Sequence, residues 1–192
     1  MAGPTRDELE RFRDATVPDL VPEEPRLLFV GINPSLMTAA TGTHFAHPGN
    51  RFYKALHGAG ITDRLLDWAG GLPPADEQHL RDRGVGITNI VARATARADE
   101  LSDDELRAGA AALRGRIRTW RPPVVAFVGI TAFRIGFGRR RAARGRQEER
   151  LEGAVVHVLG NPSGLNAHDT VDTLAAAYRE AARDAGIVRP TG

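Results

Sequence analysis

The chain has no cysteine and a single lysine, Lys54, among its 192 residues. The missing thiols exclude disulfides, thiolate zinc sites, a cysteine nucleophile and any iron-sulfur cluster held by the protein. Also missing is an apolar run of the roughly 18 residues that a membrane span requires. The N-terminal stretch MAGPTRDELERFRD is too charged for a signal peptide. The expectation is a cytoplasmic protein with no membrane partner. At 42% hydrophobic and 26% charged, residues 1–192 are expected to form one domain.

With lysine almost absent, positive charge rests on 25 Arg, unevenly placed. Residues 1–25 hold three Arg against seven Asp or Glu, whereas residues 114–150 hold eleven Arg against only Glu148 and Glu149. Arg suits bidentate phosphate contact, and each neutralised phosphate releases counterion, so the second block points to a polyanion. A composition rich in Arg, Ala and Gly also follows from a GC-rich coding sequence. Charge alone leaves nucleic-acid binding open.

Four short, β-branched apolar runs stand out: Leu27 to Ile32, Val85 to Val91, Val124 to Ile130 and Ala154 to Leu159. Helix-like segments separate them, the pattern of an α/β fold with a largely parallel sheet. The clearest helix opens at a capping box, Ser102 with Glu105, and carries Leu106, Ala110, Leu113, Ile117 and Trp120 at steps of four and three. It should stop before Pro122. Arg107, Arg114, Arg116 and Arg118 lie off that stripe and are expected in solvent. Thr5 with Glu8 opens an N-terminal helix within a 1–25 extension, Asn50 precedes a short helix over 51–57, and Val171, Leu174, Tyr178, Ala182 and Ala185 mark a C-terminal one. Residues 136–150, rich in Gly and Arg, read as a long exposed loop.

The first run leads into GINPSL (Gly31 to Leu36) and the last into GNPSGL (Gly160 to Leu165). In a parallel sheet both turns lie at the carboxyl ends of strands, where open α/β folds place their ligand crevice. Asn-Pro and Pro-Ser-Gly are also ordinary turn formers; it is the pairing at one edge that favours a site. Neither tip carries Asp, Glu, His or Cys, so a strong general base is missing. Asn33 can orient and polarise but not usefully accept a proton. Such groups suit a bond that breaks largely by itself once its leaving group is stabilised, with a water held in place.

GINPSL, TGTHFAHPGNRFYKAL (Thr41 to Leu56), GITNIVAR (Gly86 to Arg93) and NPSGLNAH (Asn161 to His168), in that order, resemble the mismatch-specific uracil/thymine DNA glycosylases of the uracil-DNA glycosylase superfamily. The resemblance runs from about residue 26 to about residue 180. It implies a three-layer α/β/α fold with a short, mainly parallel central sheet. It also implies excision of uracil, and in some members thymine, opposite guanine by hydrolysis of the N-glycosidic bond. By position, Asn33 holds the attacking water, Phe45 stacks on the flipped base, backbone near Ile32 and Phe45 reads its edge, and Asn161 faces the departing pyrimidine. Gly164, Leu165 and Asn166 form the wedge, Leu165 entering the stack where the base left and the backbone beside it pairing with the widowed guanine. Ser35 and Ser163, in the two Asn-Pro-Ser turns, are candidates for phosphate contact. Flipping costs a few kcal/mol, less at a wobble mismatch, and an apolar wedge offsets part of it.

Two positions depart from the resemblance. The best-known bacterial branch has Lys where this chain has Asn89 and Arg where it has Ala167, whereas the thymine-removing branch shares Asn at the first. Asn89 either offers its amide to base or sugar or caps its own strand end. The missing Arg leaves a strand contact to Asn166, His168 or the Arg-rich loop. The resemblance further implies double-stranded DNA with G·U or G·T mismatches as partner, a monomer, and enzymes acting downstream on the abasic site. No cofactor and no metal are expected. Lys54 is placed in a helix and not at a strand edge, so Schiff-base strand cleavage lacks a nucleophile and the expected product is an intact abasic site.

Four other readings compete. His44 and His47, three apart, suggest zinc, but no third ligand is evident. Ser163, His168 and Asp169 would make a hydrolase triad from one loop, without a G-x-S-x-G elbow. An amino-methylating enzyme would need a Gly-rich cofactor loop after the first strand. A protein that binds uracil or mismatched DNA without turning it over would share the wedge and the basic segment.

Overall fold

A computed structural model describes residues 4–189. In chain order these form α1 (Arg6–Glu10), β1 (Leu27–Gly31), α2 (Leu36–Thr41), α3 (Phe52–Gly58), α4 (Pro74–Asp82) and β2 (Val85–Asn89), then a single 3-10 turn (Ala98–Glu100). There follow α5 (Asp103–Trp120), β3 (Val124–Val128), α6 (Ile130–Gly136), β4 (Gly145–Arg146), β5 (Val155–Leu159) and α7 (Val171–Asp184). The sheet order is β2-β1-β3-β5-β4, with every pairing parallel except β4 with β5.

The apolar runs are continuous because both faces of the sheet are covered. Alternate strand residues point opposite ways, and the two sets enter different cores. Leu27, Phe29, Val85, Ile87 and Val124 meet Phe52 and Leu56 of α3 and Leu174 and Tyr178 of α7. Leu28, Val30, Val125, Phe127 and Val156 meet Leu106, Leu113 and Ile117 of α5 and Phe133 of α6. The result is three layers, α/β/α. In α5 the buried apolar residues are Leu106, Ala110, Leu113 and Ile117 of the predicted stripe, its last member Trp120 being half-buried, and its capping box closes through Glu105 N–H to Ser102 Oγ at 3.2 Å and Ser102 N–H to Glu105 Oε2 at 2.9 Å. Burying each large side chain of that stripe contributes about 1.5–3 kcal/mol, so packing holds this helix more than its cap does. None of the described helices is long and apolar enough to cross a membrane.

Three expectations change. Within 136–150, Gly145 and Arg146 pair with Val158 and His157 as the sheet's last strand. An edge strand is held by its backbone, so it needs no apolar pattern and a pattern search passes over it. The 1–25 extension does more than form α1: Leu20 and Ile87 exchange backbone bonds at 3.0 and 2.6 Å, so the segment around residues 14–20 lies as a strap along the outer edge of β2. Arg116 is not in solvent; it turns back to Asp19 Oδ2 at 3.1 Å, Thr88 Oγ1 at 2.6 Å and the Asn89 carbonyl at 2.9 Å.

Candidate active site at the carboxyl ends of the strands

Parallel strands deliver their following turns to one edge. The turns after β1, β3 and β5 surround a cleft of about 680 Å³ there, and Ile32, Asn33, Ser35, Phe45, Asn89, Asn161, Ser163, Gly164, Leu165 and Asn166 all line it. Behind Asn89 and Phe45 lies Gly31, where a Cβ would come within 2.4 Å of Asn89 Oδ1 and 3.3 Å of Phe45 Cζ. Only glycine leaves both side chains in place.

The carboxamide of Asn33 is fixed from one side. Its Nδ2 donates to the Arg93 carbonyl at 3.0 Å and to Thr95 Oγ1 at 2.8 Å, and Thr95 Oγ1 donates onward to the Arg97 carbonyl at 2.7 Å. A carbonyl only accepts, so the amide orientation is set and Oδ1 is left as an acceptor toward the cleft. Arg93 is itself held by Glu105 Oε1 at 2.6 Å and Asp14 Oδ1 at 2.9 Å. The hydrogen bond from Arg93, with help from the capping box, brings the Glu105 carboxyl down to about 2.

Phe45 sits at φ 58, a left-handed conformation that costs an aromatic residue about 1–3 kcal/mol. Two contacts keep it there. The ring stacks on Phe52 with centroids 4.1 Å apart, and the buried Tyr53 hydroxyl donates to the preceding carbonyl, His44 O, at 2.7 Å. Strain held in this way at a cleft wall marks a placed ring.

Asn89 is buried at the end of β2, with Nδ2 3.3 Å from His44 Nδ1. His44 Nε2 lies 2.9 Å from the Pro18 carbonyl of the strap, and burial holds the imidazole below its usual 6.5, hence neutral at pH 7. His47 accepts the Gly49 N–H on its own Nδ1 at 3.1 Å.

Asn161 mirrors Asn33. Its Oδ1 accepts the Ser163 N–H at 2.9 Å, so Nδ2 remains as a donor. The loop beyond it is tied down by residues the sequence did not single out. Arg51 donates to the carbonyls of Ser163, Asn166 and Asp169, and its own N–H donates to the Pro162 carbonyl at 2.9 Å. Asn166 turns inward, Nδ2 meeting the Asn161 carbonyl at 2.9 Å and Asp169 Oδ2 at 2.7 Å, so its side chain braces the loop instead of projecting. Gly164 rests against the turn at Gly49, whose carbonyl would lie 2.8 Å from a Cβ. Leu165 stands out from the loop, 91% exposed.

Ser35 and Ser163 spend their hydroxyls locally. Ser35 caps α2 by accepting the Thr38 N–H at 3.1 Å, and Ser163 Oγ accepts the Leu165 N–H at 3.3 Å. Asp169 takes Arg144 Nη1 at 2.8 Å and Asn166, while His168 is exposed, so the three triad candidates do not form a relay. In the Arg-rich stretch Arg139 pairs with Glu149, Arg144 with Asp169 and Arg146 with Asp184 at 3.5 Å. Arg140 and Arg141 are exposed, in a second hollow of about 660 Å³ that shares Arg144 with the cleft.

The profile of the family described as the uracil DNA glycosylase superfamily matches residues 18–184. The fold is similar to the solution NMR structure of a Methanosarcina acetivorans protein described as a candidate uracil DNA glycosylase, with a TM-score of 0.57 at 16% identity over 86% of this chain and 96% of that one. At that identity the likeness speaks for the fold alone.

Proposed function

Because the chain belongs to the uracil DNA glycosylase superfamily, we propose that it excises uracil from mismatches with guanine in double-stranded DNA. It does so as a monofunctional hydrolase that leaves an abasic site. The observation that carries this reading is the pair of oppositely oriented amides across one cleft: Asn33 with Oδ1 free to accept, Asn161 with Nδ2 free to donate.

The flipped nucleotide enters with its base against Phe45, whose other face is backed by Phe52. Asn33 Oδ1 accepts from a water and aims its oxygen at the anomeric carbon. As the C1′–N1 bond breaks, its electron pair leaves with the pyrimidine, and Asn161 Nδ2 donates to the charge that develops there. The water oxygen bonds to C1′, and its proton passes to solvent, since an amide cannot take it. Positioning and leaving-group stabilisation therefore carry the chemistry, in keeping with a cleft whose buried imidazole, His44, is neutral and engaged. Lys54 is exposed on α3, its Nζ 5.9 Å from the Trp68 ring centroid, and does not line the cleft. With no lysine lining the cleft among the described residues, an imine and strand cleavage have no side-chain amine to start from.

Leu165 fills the gap left in the stack. The protein's expected preference for guanine mismatches follows from the lower cost of unpairing a wobble pair. Incubation with duplexes carrying U·G, T·G or U·A, and with single-stranded U, scored by alkaline cleavage, tests the reading. Product is expected first from U·G. Equal rates on U·G and U·A would refute mismatch preference, and strand scission without alkali would refute the monofunctional assignment.

A further inference from the structure

Both partners of the Asn33 amide lie on one short run, residues 93–95, just past β2. That run has two sides. Inward, Arg93 gives its carbonyl to Asn33, and the Thr95 N–H donates to the Pro34 carbonyl at 3.2 Å. Outward, it meets residues 14–16. The Asp14 N–H donates to the Ala94 carbonyl at 2.9 Å, the Ala94 N–H donates to the Ala15 carbonyl at 2.8 Å, and Thr16 forms an antiparallel bridge with Arg93. Side chains repeat the tie. Arg93 Nη1 donates to Asp14 Oδ1 at 2.9 Å while Nε and Nη2 reach Glu105 at 2.6 and 3.2 Å, and Arg13 spans Glu10 and Glu100. Asp14 sits at φ 63, a left-handed conformation kept because its N–H and its carboxylate are both engaged. The family profile begins at residue 18, so this outer layer precedes the region it matches.

The Asp14 side chain is 64% exposed, and an ion pair so placed adds little to stability. Placement of a reacting group is far more sensitive, since a displacement of about 1 Å can cost on the order of 100-fold in rate. A contact too weak to matter for folding can therefore matter for the reaction. We propose that residues 13–16 are a clamp that presses the 93–95 run against Asn33, with Asp14 and Arg93 as positioning residues acting on the chemical step and not on DNA binding. Neither residue lines the cleft. The proposal rests on the base-excision reading, in which Asn33 holds the water.

Asp14→Gly removes the carboxylate and suits the left-handed backbone, so the main-chain bonds stay. Arg93→Met removes the side-chain ties to Asp14 and Glu105 but leaves the carbonyl that Asn33 uses. Single-turnover release of uracil from a U·G duplex should slow by about threefold in the first variant and about tenfold in the second. Binding to a duplex with non-cleavable 2′-fluoro-deoxyuridine opposite guanine should be unchanged in both. In an Asn33→Ala background neither substitution should slow the residual reaction further, since the group they position is gone. Unchanged rates, losses that simply add to that of Asn33→Ala, or weaker binding that accounts for the slower rate would each overturn the clamp. A second readout needs no turnover. In proton–nitrogen correlation spectra of the ¹⁵N-labelled full chain, the Asn33 side-chain amide is assigned by its loss in Asn33→Ala. Its exchange with water should be about threefold faster in Arg93→Met than in wild type, as the run opens more often. Exchange at the wild-type rate would overturn the proposal. Should Arg93→Met not fold, Asp14→Gly, which keeps the main-chain bonds, carries both measurements. A wild-type protein that releases no uracil, yet whose Asn33 amide loses protection in the variants, would refute the glycosylase reading and leave the clamp standing.

Discussion

Leu165 gives the sharpest separation between stability and function. At 91% exposed, this side chain contributes almost nothing to the folded protein, so Leu165→Ala should leave the unfolding temperature unchanged. Inserted into a base stack, the same side chain would lose nearly all of its exposed surface. Fully burying a leucine is worth about 1.5–3 kcal/mol, of which alanine retains a part. The loss on truncation is therefore about 1–2 kcal/mol, or roughly 5- to 30-fold. It should fall on duplex substrates alone, since a single strand has no gap to fill. Single-turnover excision from U·G duplex and from single-stranded U, run side by side with both proteins, measures the difference. An equal loss on the two substrates, or a drop in unfolding temperature, would refute the wedge.

Arg51→Ala should act differently, because it removes the donor to three carbonyls of the wedge loop: the unfolding temperature falls, and duplex activity falls further than single-strand activity. Hydrogen bonds from a charged donor are worth about 1.5–3 kcal/mol each when lost. Wild-type unfolding temperature in the variant would contradict this bracing. Replacing Arg139, Arg140 and Arg141 by Gln should weaken duplex binding and flatten its salt dependence without changing base preference, with a smaller share from Arg139, already paired to Glu149. A shift in preference would place that loop at the base instead. The Glu105 carboxyl, held down to about 2 by Arg93, stabilises the fold above its unfolded value of 4.5. That contribution is lost as pH falls from 4.5 through about 2, so Glu105→Gln should lessen the acid dependence of unfolding in that window. An identical acid limb in the variant would argue against the Arg93 tie.

Much of the fold can be read along the chain because its signals are local. The Ser102 capping box, the α5 stripe and the four apolar runs each depend on neighbours within a few residues, and each forms an element. β4 escapes because an edge strand needs no side-chain pattern. Arg116 reads as solvated since its position off the stripe says nothing about Asp19 or Thr88, which reach it from other segments. The cleft shows a similar division. The paired Asn-Pro-Ser turns locate it, yet Arg51, Thr95, Asp169 and the His44–Asn89 contact depend on partners brought close only by folding. The position of Asn166 beside Leu165 likewise does not reveal that its amide braces the loop from within.

In the proposed reaction Asn33, with its Nδ2 tied to Arg93 and Thr95, aims a water at the sugar of a flipped pyrimidine. Single-turnover release of free uracil from a U·G duplex by wild type and Asn33→Ala tests it most directly. Wild type should give an alkali-labile abasic product and the variant should lose about 100-fold or more, the scale of removing one positioned polar group, with the unfolding temperature little changed. No uracil released by wild type, or full activity in Asn33→Ala, would contradict it.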